Sequence, residues 1–151
     1  MDISPPQARS EAREPAQRLA RVLVVDDDES VTAAIRTILA RHGFETEIYL
    51  RAYAGIRALQ QSAFDVVLLD IFMPGLNGLD AIEHIRRNSS IPIIAMSGFC
   101  LRSSAGYGDC LSLAAQRGAT CCIRKPFQTA QLIEAIERSQ SSFYPAQGSA
   151  S

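Results

Sequence analysis

The chain has 151 residues, 47% of them apolar and 21% charged, a size and balance that fit one ordinary globular domain. Lys and Arg number 15 against 16 Asp and Glu, a formal charge of -1. That balance provides no basic field for a nucleic-acid backbone or for anionic lipid. No run reaches the roughly 18 apolar residues of a membrane span. Pro5, Pro6, Pro15 and mixed charges stand where a signal peptide would place its apolar segment. The expectation is a cytoplasmic protein with neither nucleic acid nor membrane as partner.

In chain order, Met1 to Ala20 lacks sustained periodicity and reads as an N-terminal tail. Val22 to Val25 is an apolar run of strand length. Val31, Ala34, Ile35, Ile38 and Leu39 then follow the spacing of one helical face, and Gly43 marks its stop. Phe44 to Tyr49 alternates Glu45 and Glu47 with larger residues, as expected near a sheet edge. A helix over Ala52 to Ser62 rests on Tyr53, Ile56 and Leu59. Val66 to Leu69 is the third strand, and Leu76 to Arg87 a helix on Leu79, Ile82 and Ile85. Ile91 to Met96 and Thr120 to Ile123 are the fourth and fifth strands, with a short helix at Leu111 to Arg117 between them. The last helix carries Leu132, Ile133 and Ile136, and Ser139 to Ser151 reads as a flexible tail.

Five strands alternating with five helices imply an α/β domain with a parallel sheet, because each return to a parallel strand needs a crossover of about a dozen residues. Uninterrupted runs such as VLVV and VVLL fit strands covered on both faces. The expected domain is Arg21 to Arg138.

Cys100, Cys110, Cys121 and Cys122 form no Cys-x-x-Cys pair and lie far in sequence from His42 and His84, so reduced thiols fit better than a disulfide framework or a zinc site. Cys121 and Cys122 are neighbours on a strand and point to opposite faces, which disfavours a disulfide between them.

Chemistry gathers at strand ends. Asp26, Asp27 and Asp28 follow the first strand, Asp70 the third, Ser97 the fourth and Lys125 the fifth. In an open parallel sheet these carboxyl ends share one edge, where ligands bind. Hard oxygen donors suit Mg²⁺, which takes one or two carboxylates and keeps several waters. Asp27 and Asp70 could bind it directly and Asp26 through water. A carboxylate can also attack a phosphoryl group when a metal and a fixed cation offset the repulsion. Lys125 supplies such a cation, and the Ser97 hydroxyl can donate to a phosphoryl oxygen. Each residue has a plainer role open to it. Asp27 or Asp28 suits a helix N-cap; Asp70 can start the turn of Met73, Pro74 and Gly75; Ser97-Gly98 is a turn dipeptide; and Lys125 before Pro126 can be a solvated lysine in extended backbone. Asn77 and Gly78 open the third helix, with Asn as the cap and Gly easing the turn.

VLVVDDD, VVLLDIFMPGLNGLD, IIAMSG and RKPF together make the stretch from about Arg21 to Arg138 resemble a receiver domain of two-component response regulators, of the stand-alone kind. The resemblance implies a flavodoxin-like, doubly wound, five-stranded parallel sheet of order 2-1-3-4-5 with helices on both faces. It implies phosphoryl transfer from a sensor histidine kinase or phosphotransfer protein to Asp70. Mg²⁺ would be held by Asp26, Asp27, Asp70 and the backbone carbonyl of Phe72, while Ser97 and Lys125 contact the phosphoryl group. It also implies a module that is not an enzyme in its own right. Output would be altered binding of a downstream protein on the face of the fourth helix, fifth strand and fifth helix, the tail after Arg138 being short for an output domain.

Two departures stand out. The family usually has an aromatic switch residue three positions before the lysine, and here that position is Cys122. The span from Ser97 to Lys125 is several residues longer than usual, through GFCLRSSAGYGDC, where Tyr107 could stand in for the missing ring. Two other functions stay open: a receiver-like binding module that is never phosphorylated, and a haloacid-dehalogenase-like phosphohydrolase using Asp26-x-Asp28.

Overall fold

A computed structural model describes residues 20–73, 75, 77–98 and 109–143. Ten elements alternate: β1 (Arg21–Val25), α1 (Glu29–Arg41), β2 (Glu45–Tyr49), α2 (Ala52–Gln61), β3 (Val66–Asp70), α3 (Gly78–Asn88), β4 (Ile93–Ser97), α4 (Asp109–Arg117), β5 (Cys121–Arg124) and α5 (Thr129–Phe143). The strands form one sheet of order β2-β1-β3-β4-β5, and every neighbouring pair is parallel. The fold expected from the sequence is present, strand order included.

Two apolar layers explain the unbroken strand runs. Alternate residues Leu23, Val25, Val67, Leu69, Ile93 and Ala95 pack under α2, α3 and α4. Val22, Val24, Val66, Leu68, Ile94 and Met96 pack under α1 and α5. A strand covered on both faces has no solvent side on which to place polar residues. β3 and β4 are accordingly buried along their whole length.

The helices differ from the sequence reading in phase and length more than in place. In α1, Ile35 and Leu39 are buried as expected, but Thr32 joins them and Ala34 faces solvent. The stop at Gly43 is a left-handed turn with φ 78, in which the Phe44 N–H donates to the Leu39 carbonyl at 2.9 Å. The inward face of α2 is Ala52, Gly55, Ile56 and Ala58, whereas Tyr53 is 71% exposed. Hydrophobicity alone overrated the ring, because small residues let α2 approach the sheet closely. A Cβ on Gly55 would lie 2.5 Å from a Val25 methyl. α5 continues to Phe143, into the stretch read as tail, and within it Ser139 is buried with its hydroxyl donating to the Ile136 carbonyl at 2.8 Å.

Cys121 packs on the α1/α5 layer and Cys122 on the opposite one, as strand alternation requires. Neither is in a disulfide. Burial pushes the Cys122 thiol pKa up, and the neighbouring Cys121 adds to the shift. Phe99, Cys100 and Tyr107 lie outside the described residues. Among the described residues no helix is long and apolar enough to cross a membrane.

Candidate functional site at the carboxyl edge of the sheet

Register brings the distant acidic residues together. Val25 pairs with Leu69 across β1 and β3, so one step further Asp26 and Asp70 stand side by side. Asp70 pairs with Met96 and Ser97 with Arg124, which puts Ser97 and Lys125 at the same edge. Backbone bonds extend the ladder past the strands: Asp26 N–H to Tyr49 carbonyl at 3.1 Å, Ile71 N–H to Met96 carbonyl at 2.9 Å, and Lys125 N–H to Ser97 carbonyl at 2.9 Å. Asp70 and Ser97 are the last residues of their strands rather than the first residues after them.

One carboxylate oxygen from each of Asp26, Asp27 and Asp70 lies within 4.8 Å of the others. Asp26 is fully buried and Asp70 is 5% exposed, while Asp27 faces solvent. Lys125 reaches into the group, pairing with Asp26 and standing 3.4 Å from a carboxylate oxygen of Asp70. Burial, together with the charge of Asp26, pushes the Asp70 pKa up to about 6, against the pull of Lys125 and of the Phe72 N–H. That N–H donates to Asp70 at 3.2 Å.

This donor set fits a divalent cation. Three carboxylates meet one ammonium, every donor is a hard oxygen, and two of the carboxylates are withdrawn from water, where uncompensated negative charge is costly. The cluster here has the composition for Mg²⁺.

The third aspartate of the run does something else. Asp28 is the N-cap of α1, its carboxylate accepting from the Ser30 N–H at 3.0 Å, the Val31 N–H at 3.3 Å and the Ser30 hydroxyl at 2.6 Å. The Ser30 hydroxyl bond is the main reason its pKa lies below the ordinary value. Its own N–H donates to Asp26 at 3.0 Å, which fixes the turn that presents Asp27. Of the two residues that suit the cap, Asp28 takes it and Asp27 stands in the acidic trio.

Asn77 caps α3, accepting from the Leu79 N–H at 2.9 Å. Gly78 serves a purpose the sequence did not reveal. Its φ is not positive, so no turn demands glycine. A Cβ there would lie 2.4 Å from the Ile71 Cα and 2.7 Å from the Asp70 carbonyl oxygen. The first residue of α3 presses on the backbone that carries Asp70, and only glycine fits. Nothing in the local sequence separates that requirement from an ordinary helix start. Ser97 is buried at the strand end. Cys122, three residues before Lys125, packs into the layer beneath α2, α3 and α4 rather than among the carboxylates.

Proteins similar in sequence or fold are numerous. The family model for the response regulator receiver domain matches residues 22–137. The CpxR homolog of Haemophilus influenzae, a transcriptional regulatory protein, is 33% identical over 121 residues, which are 79% of this chain and 49% of that protein. The sensor protein GacS of Pseudomonas syringae is 35% identical over 141 residues, 89% of this chain and 15% of that protein. This chain thus spans half or less of these two curated relatives. Among solved structures, a CheY-like receiver domain protein from Methanospirillum hungatei superposes with a TM-score of 0.74 at 25% identity, covering 84% of this chain and 98% of that one. The beryllofluoride-activated NtrC4 receiver domain dimer gives 0.73 at 28% identity, covering 82% and 98%. With the family match running across nearly the whole sheet and all four strand-end positions, the chain belongs to the response regulator receiver domains of two-component systems.

Proposed function

We propose that this receiver domain is a Mg²⁺-dependent phosphoacceptor in which Asp70 takes a phosphoryl group from a phosphohistidine of a sensor histidine kinase or phosphotransfer protein. The observation that carries this reading is the meeting of Asp26, Asp27 and Asp70 with Lys125 at one sheet edge. Asp26, Asp27, Asp70 and the Phe72 backbone carbonyl would hold the metal. When bound, the ion supplies positive charge that offsets repulsion between the carboxylates and an incoming phosphoryl group.

A carboxylate oxygen of Asp70 attacks phosphorus; the P–N bond to the imidazole breaks and its electron pair leaves with the ring nitrogen. The product is an acyl phosphate on Asp70. Lys125 turns from Asp26 to the phosphoryl oxygens, and the Ser97 hydroxyl donates to one of them. Because Ser97 ends β4, its movement is passed to the chain that follows, and binding of a downstream protein changes with it. The chain supplies the acceptor and assists its own phosphorylation without turning over another substrate. The DNA-binding activity named for some relatives, such as the MtrA regulators, belongs to proteins of which this chain spans about half.

The hydrolase reading requires Asp28 to point into the site, and its carboxylate is instead engaged with the first turn of α1. The test is incubation with a small phosphodonor with and without Mg²⁺, followed by intact mass and Phos-tag migration. The reading predicts a Mg²⁺-dependent gain of one phosphoryl group that Asp70→Asn abolishes. A folded wild-type protein that never gains the adduct is instead a receiver-like binding module. Asp26-dependent turnover of phosphomonoesters would revive the hydrolase.

A further inference from the structure

Arg86, near the end of α3, ties together four chain segments at the edge of the sheet opposite the acidic cluster. Its Nε donates to the Gly118 carbonyl at 2.8 Å. One terminal nitrogen donates to the carbonyls of Ile91 at 2.5 Å and Ser89 at 3.3 Å, and the other to the Thr120 hydroxyl at 3.3 Å. The same hydroxyl accepts the Ile93 N–H at 3.1 Å, and the Thr120 N–H donates to the Ile93 carbonyl at 2.8 Å. A single guanidinium therefore joins the end of α3, the entry of β4, the end of α4 and the entry of β5. An ammonium, a point charge without the fork, cannot meet this set of acceptors.

Gly118 is matched to this arrangement twice over. Its φ is 118, in the left-handed region, and a Cβ there would lie 2.8 Å from the Arg86 Cγ. Just before it, Arg117 pairs with Glu83 at 2.9 Å and approaches Asp80 at 3.7 Å. The polar ties described between α4 and α3 thus lie at the C-terminal end of α4. Midway along, Ala114 is buried in the apolar layer that α4 shares with α3 and the sheet. The other end of the helix lies toward the acidic edge, because α4 runs back across the parallel strands that it connects.

We propose that Arg86 is a positioning residue that pins the C-terminal end of α4 and the entry of β5 to α3, confining displacement of α4 to the end nearer the acidic edge. The pin is a property of the unmodified protein; only its use in signalling rests on reading Asp70 as the phosphoacceptor.

Hydrogen exchange followed by mass spectrometry tests the pin in the full chain. In wild type, residues 115–121 exchange more slowly than 109–113. Arg86→Ala raises exchange across 115–121 by about tenfold, the loss expected when charge-assisted hydrogen bonds go, while α1 and β1 keep wild-type rates. Arg86→Lys gives an intermediate local increase, and Arg117→Ala changes little because its partners are exposed. Unchanged protection of 115–121 in Arg86→Ala, or an equal rise in α1, overturns the pin. Should Arg86→Ala not fold, Arg86→Lys and Thr120→Val must each loosen 115–121 locally, and failure of either to do so overturns it as well. With phosphodonor and Mg²⁺, exchange in wild type changes at 109–113 and not at 115–121; in Arg86→Lys the change spreads to 115–121. An adduct that alters 115–121 in wild type defeats the pin. A missing adduct with the resting gradient intact defeats the phosphoacceptor reading and leaves the pin standing.

Discussion

The Lys125 ammonium pairs with Asp26 and stands 3.4 Å from Asp70, although 99 positions separate Lys125 from Asp26 in sequence. In this arrangement the lysine is a tethered counter-ion for the same carboxylates that suit a metal. Lys125→Met should therefore raise Mg²⁺ affinity, by about tenfold for a lost interaction worth about 1.4 kcal/mol. The same substitution should slow phosphorylation of Asp70 by about a hundredfold, since a positioned cation no longer faces the developing charge. Calorimetric titration with Mg²⁺ and intact-mass time courses read the two effects. A fall in both quantities would show that Lys125 shapes the pocket rather than competing within it.

Proton and metal should compete for Asp70. Its pKa is raised to about 6 in the folded protein from an ordinary 3.8, and Mg²⁺ needs the ionised form, so apparent affinity should fall by about tenfold for each pH unit below about 6. The sign for stability is the reverse of that for a carboxylate whose pKa folding lowers. The folded metal-free protein holds the Asp70 proton more tightly than the unfolded chain does. This contribution is full below pH 3.8 and is lost as pH rises through about 6. Mg²⁺ titrations from pH 7.5 to 5, with parallel urea melts in chelator, check both; an affinity flat across that range contradicts the assignment.

Adjacent aspartates should separate into structure and chemistry. Asp28→Ala removes the cap of α1 and should lower the melting temperature by a few degrees with Mg²⁺ affinity close to wild type. Asp27→Ala, at an exposed carboxylate of the acidic trio, should leave melting nearly unchanged in chelator and weaken Mg²⁺ binding by tenfold or more, as expected for a lost ligand. Paired thermal melts and Mg²⁺ titrations distinguish them, and identical profiles for the two variants would erase the distinction.

Gly78 provides a steric test. Alanine there meets backbone atoms of Ile71 and Asp70 at 2.4 to 2.7 Å, so either α3 or the Asp70 strand end must shift. We expect Gly78→Ala to cost about 1–3 kcal/mol, as for overpacked sites, and to slow phosphorylation beyond what the stability loss explains. Ala81→Gly, deeper in α3, serves as a comparison that loosens the same helix without pressing on Asp70. Equal phosphorylation rates at matched folded fractions would show that Asp70 tolerates the shift.

Much of this molecule was legible in its sequence. The runs at β1, β3 and β4 were plain because strands buried on both faces must be apolar throughout, and the strand-end Asp26, Asp70 and Ser97 follow from counting along them, as Lys125 does from the shorter β5. The faces of α1 and α2 were less legible. Thr32 and Gly55 are inside while Ala34 and Tyr53 are outside; in α2 closeness of packing rather than hydrophobicity set which residue faces the sheet.

By itself the sequence determined the alternation of elements, the parallel sheet and the set of residues that could meet at its carboxyl edge, because these depend on period and connection length. Only the tertiary structure decided which aspartate caps α1 and which faces the trio, that Lys125 pairs with Asp26, that Gly78 is needed for a backbone approach, and that Arg86 binds four segments at the far edge. Apart from the local cap of α1, each of these is a contact between parts of the chain brought together by register and helix packing, and no local run of residues encodes such distances.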